Sequence, residues 1–240
     1  MSVHQPERLF LIDSIGPFFV RRSRDTINWS KVPHDQLEKK GVLPRKRRRR
    51  IRENFTGYVK RVATMGYTGI TVDELRRLAL APNYPPKLRR KIERYRQYYR
   101  RLFAVAREQG LKIFITSDVM FFNRWISEHT GETAAGVSAL LVDMLDELFR
   151  EFPEIDGMVL RIGESDGVDV RGRFRSRLVI RTAREGNRLL RSLVPVFESR
   201  RRTLIFRTWT VGAYPIGDLM WNASTYERLF RGIQSPRFII

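Results

Sequence analysis

The sequence predicts an α/β fold: a (β/α)8 TIM-type barrel that is incomplete, with five to six β/α units in a single domain over residues 1–240 and its C-terminal strands missing. Three observations carry this reading. Apolar, β-branched runs alternate with amphipathic helical stretches at intervals of about 45 residues, and strand–helix–strand units make parallel sheets with right-handed crossovers. Acidic residues end strand after strand (Asp13, Asp73 and Glu74, Asp118, Glu164 and Asp166), and that is the rim on which barrel enzymes build their sites. The competing doubly wound sheet calls for a glycine-rich phosphate turn after its first strand, and Asp13-Ser14-Ile15-Gly16-Pro17 lacks the glycines.

The elements follow in order. Arg8 to Asp13 is the first strand, closed by Gly16 and Pro17, and a long polar connection runs from about Val20 to Lys40. Phe55, Tyr58, Val59, Val62 and Met65 fall at helical spacing, so Arg48 to Met65 is an amphipathic helix led by the basic tract Arg45 to Arg50 and stopped at Gly66. Tyr67 to Val72 is the second strand. Pro85 and Pro86 open a charged helix to Glu108, and Gly110 ends it before the third strand, Leu111 to Thr116. Thr133 caps the helix Ala134 to Phe152, which precedes a fourth strand, Ile155 to Ile162. A helix over Thr182 to Ser199 leads to the fifth strand, Thr203 to Thr210. A short helix, Thr225 to Arg231, leads to Phe238-Ile239-Ile240.

Composition bounds the function. The chain has no cysteine, so disulfides and thiolate metal sites are excluded. His4, His34 and His129 show no ligand spacing, and neither a Walker sequence nor a Gly-x-Ser-x-Gly elbow occurs, so no metal and no cofactor is expected. No apolar run approaches a membrane span or a secretory core, which makes the expected location cytoplasmic. The net charge of +20 comes from 38 Arg and 8 Lys. Arginine recurs in nearly every helical segment, the pattern of a compositional bias on solvated faces. The alternative is a polyanion surface, nucleic acid included, on the helices Lys87 to Arg107 and Arg171 to Arg202.

The sharpest chemical candidate is Arg161-Ile162-Gly163-Glu164-Ser165-Asp166-Gly167, a charge inside an apolar strand followed by two carboxylates in a glycine-flanked turn. A buried guanidinium needs a carboxylate partner, and Glu164 or Asp166 would supply it in the purely structural reading. In the functional reading, paired carboxylates divide the roles of acid and base in glycosidic cleavage. Arg207 sits near the end of the fifth strand, so Arg161 and Arg207 would converge on Glu164. Two cations around one carboxylate favour an anionic ligand such as a uronate or a phosphate. Trp209, on the same face as Arg207, offers either a sugar-stacking surface or ordinary packing. Asp118 is a second candidate acid, with Phe121, Phe122, Asn123 and Trp125 beyond it as a substrate platform or as a cover over the barrel. Asp13 and Asp73 complete the rim as candidate substrate contacts, and Asp218 adds a later carboxylate.

Two runs, Phe55 to Ile70 and Ile155 to Glu164, resemble the second and fourth units of TIM-barrel glycoside hydrolases, with α-glucuronidase and β-hexosaminidase-like groups the nearest in character. The resemblance implies a carbohydrate substrate and a general-acid glutamate after the fourth strand, at Glu164, with Asp166 or Asp118 as supporting carboxylate. It implies Arg161 and Arg207 as anchors for a polar or anionic sugar. In retaining members the partner carboxylate lies on a late strand, which this chain lacks, so an inactive fragment is a further alternative.

Overall fold

The computed structural model describes residues 8–13, 34–73, 75–162, 175–210 and 214–240. In chain order the elements are β1 (Leu11–Ile12), α1 (His34–Leu37), α2 (Arg45–Thr64), β2 (Gly69–Asp73), α3 (Leu75–Leu78), α4 (Pro86–Glu108), β3 (Lys112–Asp118) and β4 (Phe121–Phe122). They continue with α5 (Arg124–Thr130), α6 (Ala134–Glu151), β5 (Gly157–Arg161), β6 (Arg175–Ser176), α7 (Ala183–Ser199), β7 (Thr203–Arg207), a 3-10 turn (Pro215–Asp218), α8 (Ala223–Phe230) and β8 (Phe238–Ile239).

Six strands form one sheet in the order β1-β2-β3-β5-β7-β8, every pair parallel, with a helix on each main crossover. The sheet curls into part of a (β/α) barrel, and one contact shows it. Asp13 beyond β1 and Arg207 on β7 lie four strands apart, about 19 Å in a flat sheet. Their side chains nevertheless meet at 3.2 Å, so this face is the inside of the curve.

Strand alternation sorts the side chains. Ile70, Val72, Ile113, Ile115, Met158, Leu160, Leu204 and Phe206 are all almost fully buried on the helix-facing side. Thr71, Asp73, Thr116, Asp118, Arg161 and Arg207 fall on the other, concave side. On β7 the concave residues Thr203, Ile205 and Arg207 are only partly covered. Gly157 is required by close packing: a Cβ there would stand 2.1 Å from the Thr203 carbonyl oxygen and 2.7 Å from the Phe114 ring.

The helices form for legible reasons. α4 starts on Pro85 and Pro86 and buries Ile92, Tyr95, Tyr99, Leu102, Phe103 and Ala106 at spacings of three and four. α7 begins with a complete capping box: Thr182 accepts from the Glu185 amide, and the Glu185 carboxylate accepts from the Thr182 amide. Gly66 and Gly110, at φ +85° and +72°, let the chain turn from helix to strand. Between helices, Arg96 of α4 makes a two-pronged contact to Glu147 of α6 at 2.7 and 2.6 Å. Arg100 reaches Glu151, and Arg200 reaches Asp146 at 2.7 Å.

Element boundaries shift by at most three residues from the sequence reading, and α2 begins at Arg45, three residues early, so the basic tract forms its opening turns. The periodicity did not announce α5, which Asn123 caps by accepting from the Ile126 amide and Gly131 ends at φ +57°. It also missed the small antiparallel pair of β4 with β6, which ties the segment after β3 to the one after β5.

Candidate functional site on the concave face

Asp13 organises the centre of the face. Its carboxylate accepts from the Thr71 hydroxyl at 2.8 Å, from the Thr116 hydroxyl at 3.3 Å and from Arg207 Nη1 at 3.2 Å. Four strands thus contribute to one polar constellation, whose outer members stay open: the side chains of Arg207 and Asp13 are 34% and 38% exposed. Trp209, two residues past Arg207, is 52% exposed, an unusual state for so large an apolar side chain.

One register step towards the rim lies a second pair. Arg161 Nε stands 3.0 Å from an Asp118 carboxylate oxygen, and both side chains are almost fully buried. Asp118 and Arg161 face each other on neighbouring strands, and Arg161 in turn faces Arg207. Each arginine has a described carboxylate beside it, Asp118 for Arg161 and Asp13 for Arg207, while their expected convergence on Glu164 falls outside the described residues. Asp118 is a carboxylate partner of the buried Arg161 that the sequence reading did not assign. Glu164 and Asp166 lie outside the described residues, as does Glu74.

Asp73 is buried at the end of β2, where its backbone carbonyl accepts from the Tyr99 hydroxyl at 3.1 Å. In the aromatic segment after β3, Phe121 and Phe122 are buried, Asn123 caps α5 and donates to Tyr84, and Trp125 packs edge-on against Tyr84. Asp218 accepts from the Asn222 side chain.

Beside the rim, a buried polar cluster escaped the sequence reading. Glu38 accepts from Lys91 at 2.6 Å and Tyr95 at 2.7 Å, with Arg77 at 3.5 Å, while His34 packs edge-on to Tyr95 and lies 3.3 Å from the Tyr99 hydroxyl. Burial, with the nearby charges of Arg77, Arg76 and Lys91, holds the His34 imidazole well below 6.5. Between that lowered value and about pH 6.5 it is neutral when folded and gains a proton on unfolding. Its contribution to stability is therefore complete above that pH and declines as pH falls, by up to about 1.4 kcal/mol per pH unit, until the folded-state value is reached. Urea midpoints between about pH 7.5 and pH 5 should slope downwards in the wild type and less so in His34→Gln; parallel profiles would refute this assignment.

Among the described residues no group of acidic and histidine side chains is arranged to hold a metal ion, and no helix is long and apolar enough to cross a membrane. No family model matches the chain, and no curated protein matches it in sequence. Solved structures do. The chain is similar to a GH138 enzyme targeting pectin rhamnogalacturonan II, at a TM-score of 0.50 and 11% identity over 74% of this chain and 21% of that one. It is similar to a GH5_18 protein from Bifidobacterium longum subsp. infantis (TM-score 0.44, 14% identity, 68% of this chain and 41% of that one). A third is GH5_18 from Streptomyces cattleya in complex with GlcNAc (TM-score 0.42, 14% identity, 66% and 40%). The chain therefore spans about a fifth of the first of these proteins and two fifths of the others, and what the first likeness shows is the fold: part of a parallel (β/α) barrel.

Proposed function

We propose that the concave face binds a carbohydrate and that the chain is glycoside-hydrolase-like, forming one barrel-type domain. The observation that supports this most is the Asp13 constellation. A carboxylate, two threonine hydroxyls and a guanidinium converge on a half-open face next to an exposed tryptophan, a mixture of donors and acceptors that suits a polyhydroxylated ring with an apolar side to stack. Because Asp13 and Arg207 offset each other at the centre of the face, a neutral sugar suits it there.

In this reading Glu164, three residues past β5, donates the proton to the departing glycosidic oxygen, and Asp166 is the partner carboxylate. Asp118 acts at one remove, holding Arg161 in place. Asp13, Arg207 and Trp209 hold the sugar.

Calorimetric titration with neutral oligosaccharides tests the proposal. Asp13→Ala removes three contacts but leaves Arg207 partly solvated, so the fold should survive while affinity falls about tenfold or more. Trp209→Ala should weaken binding by a similar order through lost stacking. If the wild type binds no member of a broad oligosaccharide panel and turns over no glycoside, the proposal fails.

A further inference from the structure

The positive charge is far from evenly spread. α2 carries nine Lys or Arg against Glu53 alone, and α4 carries nine against Glu93 and Glu108. These two packed helices thus hold +8 and +7 of the chain's +20, whereas α6 has four acids against Arg150, and α7 has three Arg against two Glu. On α4, Arg96 and Arg100 are matched by the acids of α6, Arg107 reaches Asp156 and Lys91 reaches Glu38, while Lys87, Arg90, Arg94 and Arg101 are exposed.

The excess peaks in the first turns of α2. Residues 45–50 are all basic, Arg52 follows, no acid lies in the first turn, and no side chain caps the helix. This placement costs stability. The helix dipole is positive at that end, and Arg45 with Arg49, Lys46 with Arg50, and Arg48 with Arg52 are like-charged pairs four residues apart. A bound anion would relieve both penalties.

That end of α2 lies beside the rim. The helix feeds straight into the start of β2 through Gly66, so its opposite end stands at the strand's far end, where the concave site is. Contacts confirm the placement: Arg47 donates to the Leu37 carbonyl at 2.6 Å, and the adjacent Glu38 binds Arg77 of α3, directly after β2. Between α2 and α4 a cleft is lined by Arg48, Lys91, Arg94, Tyr95 and Tyr98. Arg45, Arg49, Arg52, Lys87, Arg90 and Arg94 around it are exposed.

We propose that this basic face holds the charged stretch of an anionic polysaccharide whose adjoining residues occupy the concave face, an inference that rests on the carbohydrate reading of that face. Guanidinium forks match carboxylates in pairs, and the position beside the rim lets one chain reach both surfaces. No aromatic side chain of α2 or α4 is exposed to stack on bases, which favours a glycan over single-stranded nucleic acid.

The test compares polygalacturonate with the same polymer fully methyl-esterified, and with duplex DNA, on the whole chain. The wild type should bind polygalacturonate about tenfold or more tighter than the ester, with a preference that falls steeply with salt. Changing Arg45, Arg49, Arg52 and Arg94 together to Gln should abolish the preference, leave circular dichroism unchanged and leave neutral oligosaccharide affinity at the concave face intact. Equal affinity for polymer and ester, or a preference that survives the four changes, overturns the proposal. So does tighter binding of DNA than of polygalacturonate, which would make the surface one for nucleic acid. Failure of the concave-face reading shows separately, as absent neutral oligosaccharide binding in the wild type.

Discussion

Asp118→Ala is expected to destabilise the fold by about 3–5 kcal/mol, because it leaves the Arg161 guanidinium, 2% exposed, inside the barrel without the carboxylate it faces. Against a typical total of about 5–15 kcal/mol, that loss would unfold a substantial fraction of the chain at ambient temperature. The urea midpoint should drop with little change in slope, the signature of altered stability rather than altered compactness. Two companions separate the cause. Asp118→Asn keeps an oxygen towards Arg161 and should lose less. Replacing both partners with apolar residues of similar size, Asp118→Leu with Arg161→Met, should recover most of the stability, since a buried ion pair is expensive to break and cheap to replace. If Asp118→Ala alone is as stable as the wild type, the pair does not hold the rim together.

That pair also shows where sequence reading ends. Periodicity located the main strands and helices because burial imposes a period of two or 3.6 on the chain itself, and the Thr182–Glu185 box and Gly66 are local signals. Of the acidic strand ends, Asp13, Asp73 and Asp118 stand where the strand boundaries put them. Which carboxylate meets which arginine was not legible. Asp118 meets Arg161 through the register of two strands joined by two helices, and Asp13 meets Arg207 across 194 residues and the curl of the sheet. Local proximity pointed to Glu164, which lies outside the described residues, and gave no sign of Asp118, which tertiary register brings to Arg161. The His34–Glu38 cluster was hidden likewise: it joins α1, α3 and α4, and a lone histidine in a polar stretch carries no periodic signal. Asn123 and Gly131 were readable caps around α5, but seven residues are too few for a helical stripe to stand out.

Glu164→Gln tests the chemistry apart from the fold. Glutamine keeps the side chain's size and its hydrogen-bonding oxygen but removes the proton, so a general acid is lost while binding is retained. Turnover of natural-type glycosides, whose alkoxide leaving groups need protonation, should fall by about 10²–10⁴-fold. Aryl glycosides whose phenolate leaves readily depend less on the acid and should retain more of their rate, so the ratio between the two substrates is the diagnostic quantity. Stability should match the wild type, in contrast to Asp118→Ala, because the described partner of Arg161 is Asp118. The two variants therefore divide the rim into a carboxylate that holds the strands and one proposed to hold the proton. An equal loss on both substrates would point to Glu164 binding the sugar instead of protonating it, and unchanged turnover on both would remove it from the mechanism.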